Sequence, residues 1–253
     1  MEIKIKTGKT AVEKEKSFEE VKLRCMYTNL RSMLNQNKQE EIKEMLAVNK
    51  IDIIGITETW LHDGIDDSEI TMAGFNQFRK DRLKGIKERG GGVILYCRDN
   101  LTVVDVSVEE DKKNESIWVE LKQGAGKGVG IGLCYRSPTS EQNEVDSLLA
   151  SVKRHAEDST AVIMGDFNYG GIDWGGMQGS TVGERDFIDV INDCFLEQHV
   201  DRPTRKSNIL DLIMSTEINV IENVEVDCPV ANSDHCVITW DLILCKALKI
   251  ESE

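Results

Sequence analysis

Two short polar runs carry residue types that hydrolytic chemistry needs. The first is Gly165-Asp166-Phe167-Asn168, after the apolar run Ala161–Met164. In an extended chain residues i and i+2 share a face. Asp166 and Asn168 would then place a charged acceptor beside a neutral donor, able to hold an attacking water and a phosphate oxygen. The competing reading is an Asx turn that ends a strand. The second run is Asn232-Ser233-Asp234-His235, just before the apolar run Cys236–Leu244. A histidine held by a carboxylate has its tautomer fixed and its imidazolium stabilised. Asp234 precedes His235, and Asp211 opens another apolar run. The other histidines, His62, His155 and His199, have no such setting and read as ordinary surface or core residues.

Three weaker signals lie earlier in the chain. Glu58 follows the Ile-rich run Ile51–Thr57, where a carboxylate is either a hard-cation ligand or a loop cap. Tyr135 and Arg136 end an apolar run, where a phenol and a guanidinium could meet a phosphate or simply rim a core. Basic residues cluster at Arg79, Lys80, Arg82, Lys84, Lys87 and Arg89, and again at Arg202, Arg205 and Lys206. Such clusters could border a groove for a phosphate backbone or be solvated loops.

The elements that must position these residues follow from periodicity. Strands are expected at Leu23–Tyr27, Ile51–Thr57, Phe75–Arg79, Val93–Cys97, Thr102–Val108, Ile117–Lys122, Gly128–Tyr135, Ala161–Met164, Leu210–Met214, Val220–Val226 and Cys236–Leu244. A helix over Asn37–Asn49 would bury Ile42, Met45 and Leu46. A second helix, capped by Thr139 and Gln142, would bury Val145, Leu148, Leu149 and Val152. A third, capped by Thr181 and Glu184, would bury Phe187, Ile191, Cys194 and Phe195. Strands outnumber helices and βαβ units recur, so the expected fold is an α/β sandwich: two mixed β-sheets packed together with helices on the outside. The polar residues singled out fall just after strand ends, where α/β folds assemble sites. No internal repeat or interdomain linker is visible. Residues 1–21, rich in Lys and Glu, read as a charged mobile tail. Residues 22–245 read as the domain and 246–253 as a short tail.

Composition narrows the class. The 253 residues suit one domain. Apolar residues at 40% and charged residues at 30% are ordinary for a soluble fold. The net charge of −14 has the wrong sign for holding nucleic acid by bulk electrostatics. It suits carboxylates gathered around a divalent cation. Seven cysteines, an odd number without a CxxC pair, read as free thiols of a reducing compartment rather than a disulfide or zinc framework. No apolar run reaches the length of a membrane span, and Met1–Thr10 lacks the apolar core of a signal peptide.

Taken in order, Asn29, Glu58, Tyr135, the GDFN run, Thr204, Asp211 and the SDH run resemble the endonuclease/exonuclease/phosphatase superfamily. Within it the chain is similar to the apurinic-endonuclease-type domain of non-LTR (LINE) retrotransposons. The runs TNLRSMLNQNK, DIIGITETWL, RGGGVILYCRD, MGDFNYGGIDW and SDHCVITW carry the likeness, which spans Leu23 to Leu244. It implies a four-layer α/β sandwich and Mg²⁺-dependent phosphodiester hydrolysis, with Mn²⁺ as a substitute and duplex DNA as substrate. Glu58 would be the main metal ligand, supported by Asn29 and Asp234. Asp166 would activate water, with Asn168 positioning it. His235, oriented by Asp211, and Tyr135 would contact the scissile phosphate. Thr204 and Ser233 would brace them, and Arg31, Arg136, Arg205 and Lys206 could touch DNA. Some superfamily members carry an acidic metal ligand two residues after the Asn, where this chain has Arg31. The resemblance implies an intracellular protein, nuclear when acting on DNA, monomeric and without an obligate protein partner. It would be a domain excerpt, a truncated copy, or a host gene derived from such an element, of the reverse-transcriptase-associated kind. The alternatives are a phosphomonoesterase acting on a lipid or inositol phosphate, and a non-catalytic DNA-binding relic.

Overall fold

The computed structural model describes residues 18–82, 90–123 and 128–247. In chain order its strands are β1 (Phe18–Asn29), β2 (Ile53–Thr57), β3 (Phe75–Lys80), β4 (Val93–Arg98), β5 (Val103–Asp105), β6 (Glu115–Leu121), β7 (Val129–Tyr135) and β8 (Ala161–Asp166). Next come the two-residue strands β9 (Ile172–Asp173), β10 (Gln178–Gly179) and β11 (Glu197–Gln198), then β12 (Asp211–Ser215), β13 (Ile221–Asp227) and β14 (Val237–Ala247). The helices are α1 (Gln36–Asn49), α2 (Gln142–Asp158) and α3 (Val182–Asp193).

Two six-stranded sheets form, ordered β13-β14-β1-β2-β4-β3 and β11-β12-β8-β7-β6-β5. In each, one parallel pair is flanked by antiparallel neighbours: β1 with β2, and β7 with β8. A helix, α1 or α2, joins each parallel pair, as the crossover of a parallel connection requires. The inner faces of both sheets meet in one core that includes Tyr27, Ile53, Leu133, Met164, Ile213 and Trp240. Helix α1 covers the outer face of the first sheet, while α2 and α3 cover that of the second. The expected four-layer sandwich is the observed architecture. Among the described residues, no helix is long and apolar enough to cross a membrane.

Local chemistry sets the helix ends. Asn35 caps α1, accepting from the Lys38 N–H at 3.4 Å. Thr181 and Glu184 form the expected reciprocal box at α3. At α2 the expectation is corrected. The helix starts at Gln142, and the Glu144 carboxylate accepts from the Glu141 N–H at 2.9 Å, while Thr139 lies in the preceding turn beside Ser137. Phe195 is also corrected. The helix stops before Cys194, Phe195 turns left-handed at φ +52°, and its ring is 86% exposed because helical periodicity no longer applies there. Strand β1 begins at Phe18, since its pairing with β14 runs from Phe18 opposite Ala247 to Tyr27 opposite Ile238. Residues 18–21 therefore belong to the sheet. The rest of the expected tails, residues 1–17 and 248–253, lies outside the described residues, as do Lys84, Lys87 and Arg89.

Candidate active site

The C-terminal ends of both parallel strand pairs face one another at one edge of the sandwich. Asn29 ends β1, Glu58 follows β2, Tyr135 ends β7 and Asp166 ends β8. Close packing brings β8 to this position. Gly165 has no Cβ, and one built there would lie 1.9 Å from the Cys134 carbonyl oxygen. No other residue would let β8 lie this close to β7.

One amide sits at the centre. Asn29 Nδ2 donates to Asp166 Oδ2 at 2.8 Å and to Glu58 Oε1 at 3.3 Å. Tyr135 donates its hydroxyl to the same Glu58 oxygen at 2.9 Å, and the Trp60 indole N–H donates to Glu58 Oε2 at 3.0 Å. Burial, reinforced by Glu58 and Asp166, pushes the Tyr135 phenol far up, so it stays a proton donor. Asn29 itself is buried, and a buried lysine fixes the turn after it: Lys38 Nζ donates to the carbonyls of Leu30 at 2.6 Å and Arg31 at 3.0 Å.

Opposite Glu58 lies a buried histidine between two carboxylates. His235 Nδ1 is 2.8 Å from Asp211 Oδ2, and its Nε2 is 4.0 Å from Asp166 Oδ2. Asp211 also accepts from the Tyr27 hydroxyl at 3.0 Å, and its backbone N–H donates to Thr204 Oγ1 at 3.1 Å. Ser233 donates to the Asn29 carbonyl at 2.7 Å and accepts from the His235 N–H at 3.3 Å, tying β14's entry to β1's exit. Burial and the negative charge of Asp211 push the Asp166 carboxyl well above its ordinary range; His235 and Asn29 oppose this. Burial disfavours a charged His235, but Asp211 and Asp166 outweigh it and raise its basicity.

Several expected placements are met. Asn29, Glu58, Tyr135, Asp166, Asp211 and His235 converge, with Thr204 and Ser233 bracing them from behind. Others are corrected. Asn168 does not share an extended face with Asp166. It turns left-handed at φ +53°. Its N–H donates to Asp166 Oδ1 at 3.0 Å, and its amide donates to the Arg136 carbonyl at 2.9 Å. The first of these bonds closes an Asx turn. Arg136 holds that loop, donating to the Phe167 carbonyl at 3.0 Å and stacking 4.0 Å over Tyr169, while it also lines the hollow beside Tyr135. Asp234 does not support His235. Both its oxygens are taken by guanidiniums, Arg31 at 3.0 Å and Arg205 at 2.9 and 2.6 Å. Partial burial works against the Asp234 charge, yet Arg205 and Arg31 hold its carboxyl down at about 2. Lys206 is exposed on the adjacent turn. In the first basic cluster, Arg79 pairs with Asp67 and Asp81, Arg82 with Glu115, and Lys80 Nζ donates to two carbonyls. These groups brace loops. Sequence reasoning misses Trp60 and Tyr27. Nothing local marks Tyr27, because its partner Asp211 is 184 residues away.

The donor set suits a hard cation. Asp166, Asp211 and His235 offer ligand atoms within 4.8 Å of one another. The His235–Asp211 bond already satisfies one side of that trio, which leaves Asp166 and Glu58 as the open carboxylates. Asn29 Oδ1 is buried without a hydrogen-bond partner. A buried amide oxygen left unpaired beside two carboxylates costs free energy that an oxygen-seeking ion or its water would recover.

The family model described as Endonuclease/Exonuclease/phosphatase family matches residues 26–235. No curated protein sequence matches the chain. Among solved structures, the endonuclease domain of TRAS1, a telomere-specific non-LTR retrotransposon, superposes with TM-score 0.66 at 17% identity, covering 87% of this chain and 98% of that one. The AP endonuclease LMAP from Leishmania major gives TM-score 0.69 at 13% identity, covering 87% of each chain. The 3′ phosphatase NExo from Neisseria, bound to a product DNA hairpin, gives 0.66 at 15%, covering 87% of this chain and 99% of that one. At these identities the likeness shows the fold. The family match, which extends from Met26 in β1 to His235, places the chain in the endonuclease/exonuclease/phosphatase family.

Proposed function

We propose that the protein is a Mg²⁺-dependent phosphodiester hydrolase that nicks duplex DNA, of the kind that opens a retroelement target site. One observation carries this: a single amide, Asn29 Nδ2, bridges the carboxylates of Glu58 and Asp166, with the His235 imidazole 4.0 Å from the latter. Phosphodiester hydrolysis needs an oriented water, charge neutralisation on the phosphoryl oxygens and stabilisation of the leaving oxygen. A divalent ion held by Glu58 and Asn29 would supply a fixed positive charge against both the phosphate and the departing oxygen, which then takes its proton from solvent.

The chain's own residues supply the rest. Asp166, its carboxyl raised by burial, orients a water and takes its proton. His235, kept charged by Asp211, donates from Nε2 to the phosphoryl oxygen, and Tyr135 donates its phenol O–H from the other side. Asn29 holds Glu58 and Asp166 in register. Asn168 holds the Asp166 loop rather than the water. Arg31, Arg205 and Lys206 lie where a strand's phosphates could pass. This local basic rim works against the net charge of −14, which makes binding to long duplex salt-sensitive and modest. The TRAS1 and AP endonuclease likenesses support a DNA substrate; a nuclear site of action follows if that substrate is chromosomal, and the enzyme is read as a monomer.

Supercoiled plasmid tests the reading. The protein converts it to the nicked form with Mg²⁺, less readily with Mn²⁺ and not with EDTA. Asp166→Asn and His235→Ala abolish the conversion. Undiminished nicking by either variant, or release of inorganic phosphate from an inositol phosphate without nicking, would overturn it.

A further inference from the structure

Two sequence runs border the site, Thr57-Glu58-Thr59-Trp60 and the three glycines Gly90–Gly92, and apart from Glu58 the reaction does not account for them. The structure joins them. Glu58 and Trp60 both adopt left-handed backbone, at φ +51° and +57°. That conformation is uncommon for side chains of this size. Hydrogen bonds hold the strained turn from both sides. The Ser32 N–H donates to the Glu58 carbonyl at 2.9 Å, the Thr59 N–H to the Gly92 carbonyl at 3.2 Å, and the Trp60 N–H to the Gly91 carbonyl at 2.9 Å. Gly91 and Gly92 are themselves at φ +70° and +81°, and a Cβ on Gly92 would lie 2.5 Å from Thr59 Oγ1. The glycine run is thus shaped to receive this turn. Within this turn the Trp60 indole folds back so that Nε1–H meets Glu58 Oε2 at 3.0 Å.

The two oxygens of Glu58 are then held from opposite edges. Oε1 accepts from Tyr135 and Asn29, whereas Oε2 accepts from Trp60. A carboxylate oxygen has two lone pairs, so Oε2 can accept from the indole and still face a cation. Groups that fix a ligand's orientation in this way typically change metal affinity by about 10–100-fold when removed. We infer that Trp60 is a positioning residue: its indole N–H presents the Glu58 carboxylate to the divalent ion, and its emission reports whether the ion is there. This rests on the proposed role of Glu58 as a cation ligand.

The test uses the full chain and Mn²⁺ alone, with free Mn²⁺ counted by electron paramagnetic resonance. Tryptophan emission is followed through the same titration. The chain has four tryptophans; Trp118 and Trp240 are fully buried in the core, and Trp174 lies on the β9–β10 hairpin. Wild-type emission falls with the midpoint that the resonance titration gives, and Trp174→Phe leaves both unchanged. In Trp60→Phe the quenching is lost and the Mn²⁺ dissociation constant rises roughly tenfold. The Mg²⁺ concentration for half-maximal nicking rises in parallel, while kcat at saturating Mg²⁺ stays within about threefold of wild type. A purely structural role would instead lower the melting temperature and kcat without moving the metal midpoint, and would overturn the inference. So would equal Mn²⁺ affinity in wild type and Trp60→Phe, which would leave the hydrolase reading standing. Failure of wild type to bind Mn²⁺ at all would remove both. Should Trp60→Phe not fold, the emission of Trp174→Phe decides: no change as the site fills refutes the inference.

Discussion

Among the described residues two aspartate–histidine pairs are largely enclosed, and one of them faces the proposed chemistry. Asp211 with His235 stands at the site. Asp111 with His155 lies between the segment before β6 and helix α2. At the second pair, Asp111 accepts from Ser151 at 2.7 Å, Arg154 at 2.8 Å, the Val108 N–H at 2.9 Å and His155 Nε2 at 3.0 Å. The His155 ring stacks on Trp118 at 4.2 Å, and the Trp118 indole N–H reaches Ser151. Burial pushes the Asp111 carboxyl up, but His155, Ser151 and Val108 overcome it and hold it far below the ordinary range. One carboxylate there has two potential cations beside it, so its charge is satisfied internally. At the site, Asp166 and Asp211 share one imidazole and Glu58 stands nearby. The difference is one of charge balance. A pair in balance is an anchor; a pair left with surplus negative charge favours a cation beside it.

The largest contrast lies in rate. His235→Ala lowers nicking by on the order of 10²–10³ or more, whereas His155→Ala, assayed below its melting temperature, stays within about threefold. A His155 variant that folds yet is inactive would break the comparison. Stability reverses the ranking. Asp111→Asn, by stranding the Arg154 guanidinium and the other donors that converge on a buried carboxylate, costs on the order of 3 kcal/mol in urea unfolding at pH 7. The sign of the pH dependence follows from the depressed carboxyl. Its contribution is complete above the unfolded value of about 4 and disappears as pH falls through the folded value, so the gap between wild type and variant narrows in acid. A gap that widened in acid would contradict the anchoring role.

Smaller effects sharpen the picture at the site. Asp166 is raised, so the metal-free protein loses stability as pH climbs from about 4 toward neutrality, because the unfolded chain gives up that proton first. Asp166→Asn ends activity and removes this titration, so its metal-free stability falls less between pH 5 and pH 7 than that of the wild type. Thermal melts at pH 5 and 7 would check it, and an equal fall in both proteins would argue that Asp166 is not the group responsible. The smallest expected effect is Ser151→Ala, about 1 kcal/mol of stability with no change in nicking rate.

Much of this is legible in the sequence where a property repeats along the chain. Ile51–Thr57, Val145 with Leu148 and Leu149, and the Thr181–Glu184 cap announce their own structure, since burial and capping follow local rules. The polar residues placed after strand ends also converge, because that placement is a consequence of the α/β architecture. What cannot be read depends on partners distant in sequence. His155 reads as unremarkable because Asp111 lies 44 residues away, and Asp234 reads as a companion of His235 merely because they are adjacent. In space Asp234 turns to Arg31 and Arg205, 203 and 29 residues distant. Asn168 misleads for another reason: a left-handed residue breaks the two-residue alternation that would put it beside Asp166.

Strand β14 lies against β1 along nearly its whole length, although more than two hundred residues separate them. In chain order β1 precedes that neighbour by most of the domain, so the pairing forms only after the whole intervening stretch is present. His235 arrives in the segment that leads into the same late strand, and Ser233 closes the junction onto Asn29. The candidate site is therefore complete only once this pairing has closed: without β14 and the segment before it, Asn29 and Glu58 stand with neither Ser233 nor His235 beside them. Closure over so long a stretch of chain is slow, so the site can form no sooner than the slowest contact of the fold.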